Sequence, residues 1–337
     1  MEKVHISYVT DARYLSTVFV SAASAAIYST SEKVVVIHLI EEEVSVEAVA
    51  KFVADLKRVN STVEIVRHTW TSHEFDKYPG WNNNSRLVYV RLVLADLMPD
   101  VDWVIPIDGD TLWLGSPFDM MAARNDDAMV MMSYDPPPTN GEENMTFRWF
   151  KAQGLTDYTI DKYGCAGVMI HNLKMMREFG FSKKAKAFLE TYPVPPLLEQ
   201  MVIGYVAREY LSILPKQWGV FSVWSSGVDL SQGGLVHYVQ DLPLQRTKLN
   251  RLFSDVVMLW FDFCRIVLKT DFYHTQFCWW SRFWRRGLFV GLKHNQWLLR
   301  LHPFLQSRFR NTQGLHEDTL QACRKVWYTY GQSRGIG

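Results

Sequence analysis

Residues 103–111 read Trp-Val-Ile-Pro-Ile-Asp-Gly-Asp-Thr. The apolar run reads as a buried strand, and it stops at two carboxylates, Asp108 and Asp110, on either side of Gly109. Open α/β sheets bind ligands beyond the carboxyl ends of their strands. Two acids there, around a backbone that can be approached closely, suit a hard divalent cation carrying a diphosphate. Asp-x-Asp is common by chance, and Asp100-Val101-Asp102 repeats it. Position separates the two pairs. Asp108 and Asp110 follow an apolar run, where uncompensated like charges are costly. Asp100 and Asp102 precede the strand and are expected in solvated loop. Pro106 donates no ladder hydrogen bond, so a bulge is expected beside it.

Other residues could act with this pair, each with a structural alternative. Asp11 follows the first apolar strand and either meets a ligand in a tight turn or caps the next helix. Arg91 is the one cation between Val88 and Leu97. It either contacts a ligand or pairs with Asp96 or a neighbouring element. Glu199-Gln200 opens an apolar helical stretch and is either functional or an exposed helix start. His237 follows the short strand Leu235-Val236 and is either a metal ligand or a structural histidine.

The elements that must position these residues alternate. Residues 4–9, 34–40, 63–66 and 103–107 read as strands. Between them, 14–28, a Ser45-capped helix with apolar residues from Val46 to Val59, and a helix near 85–97 read as helical. The β-α-β order implies parallel, doubly wound packing in an α/β sheet. Beyond residue 110 come strands at 128–132 and 167–170, a helix at 198–210 and a strand at 235–238. The Pro-rich stretch 135–141 can only be a long loop, and such loops are often functional.

The chain has 337 residues, 48% of them hydrophobic, and a net charge of +1. That charge is unevenly spread. Residues 246–337 hold 15 Lys and Arg against 5 Asp and Glu, and six of the 13 Trp. Trp and basic side chains on amphipathic segments suit an anionic membrane surface; the alternative is a helical subdomain with ordinary core aromatics. No stretch there is long and uncharged enough to span a bilayer. Cys165, Cys264, Cys278 and Cys323 match no zinc spacing and read as reduced thiols. The first residues enter a strand pattern at once, without a signal peptide. The Asn-x-Ser/Thr matches at Asn60, Asn83 and Asn144 therefore read as chance.

Six segments fall in the order seen in glycosyltransferase family 8, which the chain resembles over residues 3–240. They are Thr10-Asp11-Ala12-Arg13-Tyr14, Tyr89-Val90-Arg91-Leu92, Ile107-Asp108-Gly109-Asp110-Thr111, Cys165-Ala166-Gly167-Val168, Glu199-Gln200-Met201-Val202 and Val236-His237-Tyr238. The resemblance extends to bacterial lipooligosaccharide galactosyltransferases and lipopolysaccharide glucosyltransferases. It implies a GT-A fold, that is, a Rossmann-like doubly wound mixed sheet, over residues 1–245. Residues 246–337, beyond the resemblance, are expected from their composition to form a basic, aromatic helical extension that either docks on a membrane or packs as an ordinary helical subdomain. It also implies a UDP-sugar donor (UDP-galactose or UDP-glucose), Mn²⁺ with Mg²⁺ as the alternative, and retention of the sugar's α configuration. The acceptor would be a saccharide or lipid-linked glycan of a bacterial surface. The location would be cytoplasmic, on the inner face of the membrane, with no nucleic-acid partner.

Carried over by position, Asp108, Asp110 and His237 match the metal ligands. Thr10, Asp11, Tyr14, Arg91, Gly109, Cys165 and Ala166 match donor contacts. Asp135, Glu199 and Gln200 match residues at the reacting sugar. Three departures stand out. Cys165 replaces an Asn, Glu199 replaces an Asp, and a Lys-Pro-Trp after the histidine is absent. Lys216, Lys248 or Arg246 is left to grip phosphate. Two competing readings follow: a non-catalytic sugar- or membrane-binding relative, and a haloacid dehalogenase-type phosphatase. The second needs Asp-x-Asp-x-Thr after the first strand, whereas Thr111 comes one residue early and after the fourth.

Overall fold

The computed structural model describes residues 1–81, 85–135, 145–158, 163–221, 230, 233–239, 255–269 and 317–333. The described chain divides into two compact units, one of residues 1–109 and 116–219, the other of residues 110–115 and 220–337.

The first unit is built on a seven-stranded sheet. Its strands are β1 (Glu2–Thr10), β2 (Lys33–Glu41), β3 (Glu64–Thr69), β4 (Trp103–Ile107), β6 (Val130–Tyr134), β7 (Gly164–Asn172) and β8 (Leu211–Ile213). Their order is β3-β2-β1-β4-β7-β6-β8. The β3-β2-β1-β4 half is parallel, and β7 runs antiparallel to both β4 and β6. The expected mixed, doubly wound α/β sheet is therefore present. Strand order reverses between β1 and β4, and the carboxyl ends of that pair form the switch point where such sheets take ligands. The chain there carries Thr10-Asp11 on one side and Asp108 on the other.

Local chemistry explains the elements around the sheet. Helix α1 (Leu15–Ala26) is built of small residues; Ala22, Ala23, Ala25 and Ala26 are fully buried, which lets it lie close to β1 and β2. Ser21 Oγ meets the Tyr8 hydroxyl at 3.0 Å. Helix α2 (Val46–Val59) starts at Ser45, whose side chain accepts from the Ala48 N–H, and buries Val49, Phe52, Leu56 and Val59. Asn60, at the end of α2, is buried and donates to the Ala26 and Ser29 carbonyls. Its amide is spent on the fold, so the glycosylation match there is a coincidence of sequence; Asn83 and Asn144 lie outside the described residues.

Two expectations are corrected. Residues 85–97 are not one α-helix: a 3-10 helix, Leu87–Leu92, is followed by the single turn α3 (Leu94–Leu97). The β-branched and aromatic residues there lower helix propensity, and burial of Leu87, Tyr89, Val90 and Leu92 settles the backbone instead. Pro106 also causes no bulge. It pairs in register opposite Ser7, and the register to β7 is the same on both sides of it. The register shift falls at Met132/Ser133 between β6 and β7. Asp102 is exposed, as expected, and pairs with Arg177 at 3.1 Å.

The remaining helices of this unit are α4 (Pro117–Ala122), α5 (Met145–Ala152), α6 (Leu173–Phe179), α7 (Phe181–Thr191) and α8 (Leu198–Val206). The expected helix 198–210 therefore ends early and continues as a 3-10 turn, Arg208–Tyr210.

In the second unit β5 (Thr111–Trp113) pairs antiparallel with β10 (Leu235–His237), and β10 with β9 (Trp218–Phe221) in a three-stranded sheet. Helices α9 (Asp255–Ile266) and α10 (Glu317–Ser333) follow, with Phe263 against Trp327 and Arg324 paired to Asp262. The expected boundary at 245/246 and most of the basic extension lie outside the described residues. No described helix is long and apolar enough to cross a membrane. Cys165, Cys264 and Cys323 are free and buried, and burial pushes Cys264 well up and Cys323 to about 11.

Candidate active site

Asp108 leaves the end of β4, where its N–H donates to the Gly167 carbonyl at 2.8 Å. Gly109 then passes close to α1. A Cβ at that position would stand 2.5 Å from Val18 Cγ2 and 2.9 Å from Tyr14 Cε1. Only glycine lets the strand end and the helix approach this closely, so the residue between the acids is set by packing. Asp110 enters β5, and the β5–β10 ladder places His237 opposite Thr111. The Tyr238 N–H donates to the Asp110 carbonyl at 2.8 Å. Sequence distance is closed here by strand pairing.

Asp110 Oδ1 lies 3.3 Å from His237 Nε2. The oxygen is buried, and among the described residues it makes no hydrogen bond. The two atoms thus approach without the alignment of a hydrogen bond. A buried carboxylate oxygen without a donor is costly, and a cation is the partner that removes that cost. Asp108 is joined to Asp110 through one residue, so the chain itself attaches a second carboxylate to the Asp110–His237 pair. Two carboxylates and an imidazole fit a divalent metal that also takes phosphate oxygens. Phe221 packs edge-on against the His237 ring, 5.6 Å between centroids, and fixes its plane.

Arg91 is not paired with Asp96. It sits at the end of the 3-10 helix and donates from one Nη to Asp108 and from the other to Glu199, the latter at 2.8 Å. Arg91 and Glu199 are both buried. Burial raises the Glu199 carboxyl, with the Asp108 charge adding and Arg91 opposing. Two acids share one guanidinium, which holds Arg91 charged. The sequence alone does not reveal the partner, because Glu199 is 108 residues away.

Glu199 and Gln200 occupy the first turn of α8, directly after Leu198, whose φ is +43. A left-handed leucine costs about 1–2 kcal/mol and turns the helix start in place. Glu199 is buried, so the expectation of an exposed helix start is not met. The Ala166 N–H donates to Gln200 Oε1 at 3.0 Å. A backbone N–H can only donate, so this bond fixes which way the amide points.

Cys165 lies on β7 beside Ser133; its sulfur accepts from the Gly167 N–H at 3.3 Å and its carbonyl from Ser133 Oγ at 3.3 Å. Asp135 directly follows β6, and Lys216 lies 5.1 Å from the Tyr134 ring centroid. The first unit thus holds two hydrogen-bonded groups, Asp108–Arg91–Glu199 and Ala166–Gln200, joined along the chain at Glu199-Gln200. Asp11 does not cap α1, whose N-cap is Tyr14 without a side-chain bond; it closes the turn before the helix, its Oδ1 accepting from the Arg13 and Tyr14 N–H groups, both at 2.9 Å, and its Oδ2 pairing with Arg13. Thr10 Oγ1 donates to the Asp11 carbonyl at 2.9 Å. Lys248 and Arg246 lie outside the described residues.

The family profile described as glycosyl transferase family 8 matches residues 5–242. No curated protein sequence matches the chain. Among solved structures the fold is similar to the apo form of the bifunctional glycosyltransferase WbbM, at 17% identity and a TM-score of 0.58, over 72% of this chain and 47% of that one. The chain therefore spans about half the length of WbbM (47%). It is also similar to the galactosyltransferase LgtC in complex with donor and acceptor sugar analogues, at 19% identity and a TM-score of 0.58, over 72% of this chain and 90% of that one. A third similar structure is the glycosyltransferase GlyE of Streptococcus pneumoniae TIGR4, at 13% identity and a TM-score of 0.56, over 86% and 64% of the two chains. At these identities the likeness is one of fold, the GT-A fold. The profile match over most of the chain settles the family: the chain belongs to glycosyltransferase family 8 and is a glycosyltransferase.

Proposed function

We propose that the chain moves a hexose, galactose or glucose, from a UDP-sugar to a saccharide acceptor with retention at the anomeric carbon. The observation that carries this reading is the buried Asp110 Oδ1, which faces His237 Nε2 without a hydrogen bond. Asp108, Asp110 and His237 would hold Mn²⁺ or Mg²⁺. When bound, that ion supplies Lewis-acid stabilisation of the departing diphosphate. Asp11, with Thr10, and Tyr14 line the turn after β1, where the nucleoside would lie. Both Asp11 oxygens are held within that turn, Oδ1 by the Arg13 and Tyr14 N–H groups and Oδ2 by the Arg13 side chain, so its part is to keep the turn in shape for the nucleoside.

Arg91 keeps Glu199 and Asp108 fixed at the reacting sugar. Glu199 is spent on Arg91, which argues against a free carboxylate nucleophile and favours front-face attack. In that route a donor phosphate oxygen takes the acceptor's proton. Gln200 Oε1 retains a second lone pair for the oxocarbenium-like sugar, while Ala166 holds it in place. Asp135, directly after β6, and Cys165, on the adjacent β7, bound the sugar pocket, and Lys216 is the phosphate contact in the place of the absent Lys-Pro-Trp. The basic extension 246–337 docks on an anionic membrane surface that presents a lipid-linked acceptor.

A donor panel tests this. Purified chain with Mn²⁺ and separate UDP-sugars should release UDP from UDP-galactose or UDP-glucose, and EDTA should stop it. Absence of UDP release from every donor, with and without saccharide acceptors, would overturn the reading. Flotation of the full chain with anionic but not neutral vesicles tests the membrane claim; equal behaviour with both removes it.

A further inference from the structure

β1, β2 and β3 lie side by side, and each carries one histidine. Ser7 pairs with His38, and Ile40 pairs with His68, so His5, His38 and His68 run diagonally over one face of the sheet. His5 Nδ1 is 2.9 Å from His38 Nε2, and His38 Nδ1 is 2.9 Å from His68 Nε2. Adjacent ring centroids stand 5.1 and 5.2 Å apart. His38 is buried, and the two outer rings are partly exposed. None belongs to the candidate active site. A shared metal ion does not explain the row, because the outer rings are bonded to opposite nitrogens of His38.

Proton counting does explain it. A neutral imidazole has one N–H and one lone pair. For both contacts to be hydrogen bonds, His38 must donate through one nitrogen and accept through the other. Both bonds then point the same way along the row, and one outer nitrogen, on His5 or on His68, is bare. One added proton fills that nitrogen and leaves both bonds intact. The charge can move to an exposed end ring by proton shifts along the bonds. A second added proton forces an N–H against an N–H.

We propose that His5, His38 and His68 form a single proton-accepting unit that takes up one proton in the folded chain and bars a second, so that acid opens the β1–β2–β3 edge of the sheet. Burial depresses all three rings, and His38, with the charges of His5 and His68 adding, is held down to about 3. Among the described residues the charged groups acting on His5 are Lys3, which opposes protonation, and Glu64, which favours it. That pair is itself bridged at 2.6 Å. Helix α1 carries no charged residue, α4 contributes the exposed Asp119, and the 3-10 helix contributes Arg91, held by its two acids. The sign follows. The depressed folded-state values give stability that is full above the unfolded histidine value of 6.5 and is lost as pH falls below it. An unfolded chain binds three protons at these residues against one in the fold. The folding equilibrium constant should therefore fall by about a hundredfold per pH unit from this unit alone, once the unfolded rings are charged and the folded unit holds its one proton.

The test is ¹⁵N imidazole NMR of the full chain from pH 8 down to the onset of unfolding. The expected result is one shared titration of the three rings that sums to a single proton. Three independent titrations of a full proton each would overturn the proposal, as would no uptake before unfolding. His38→Phe should leave His5 and His68 titrating separately and flatten the stability–pH curve. An unchanged curve in a folded variant would contradict the proposal. Should that variant not fold, the wild-type spectra decide alone.

Discussion

Arg91 and Glu199 form a buried ion pair, Nη1 to Oε1 at 2.8 Å, with side-chain exposures of only 6% and 7%. The other Nη of Arg91 bonds Asp108 at the end of β4. One guanidinium therefore ties the strand that delivers the acidic pair to the helix that delivers Glu199 and Gln200.

Breaking this tie leaves two acids without their counter-charge. Arg91→Met should cost about 3–5 kcal/mol, the usual result of removing one partner of a buried pair. Arg91→Met combined with Glu199→Gln should recover part of the loss, because the deeper charge goes with it. Urea denaturation of the two variants measures both values. A loss below about 1 kcal/mol for Arg91→Met, the range of surface pairs, would contradict the buried pairing.

Gly109→Ala should push the acidic tripeptide off α1, since its Cβ would meet Val18 Cγ2 at 2.5 Å. Overpacking of this kind costs about 1–3 kcal/mol. Val18→Ala in the same chain should restore much of the stability and of the metal affinity. Failure of the second substitution to help would show that the close approach to α1 is not what requires glycine.

Gln200→Ala removes the acceptor of the Ala166 N–H and should lower kcat at least tenfold while KM for the donor changes little. A rise in KM with kcat intact would assign Gln200 to ground-state binding instead.

His171 is fully buried on β7, and burial, with the Arg91 charge adding, depresses it to about 3. Its folded-state value lies below the unfolded one, so neutral His171 favours the fold above pH 6.5, and that contribution is lost as pH falls toward 3. Each unit in that window should cost up to about 1.4 kcal/mol for this group. Denaturation of wild type and His171→Leu at pH 7 and pH 5 checks it. The variant should show the shallower dependence, and equal slopes would refute the assignment.

Much of this arrangement was legible in the sequence for a physical reason. The run ending at Ile107 is apolar on both faces, so the strand and its abrupt carboxylates declare themselves. Ser45 before the 3.6-residue pattern of α2 does the same for a cap. Other features carry no local signal. β5 and β10 are three residues each, too short for periodicity, and only their pairing brings His237 to Asp110. The Arg91 segment obeys tertiary burial over helix propensity, and its partner Glu199 is fixed by packing across the core. Asp11 was legible as either helix cap or ligand contact, and the fold uses its Oδ1 to close the turn ahead of α1 rather than to cap the helix.

The metal site itself is read by EPR titration of the full chain with Mn²⁺ in the presence of UDP. One ion should bind per wild-type chain, and Asp110→Asn and His237→Ala should each weaken it at least tenfold while the chain stays folded. Undiminished Mn²⁺ binding in His237→Ala would contradict the account.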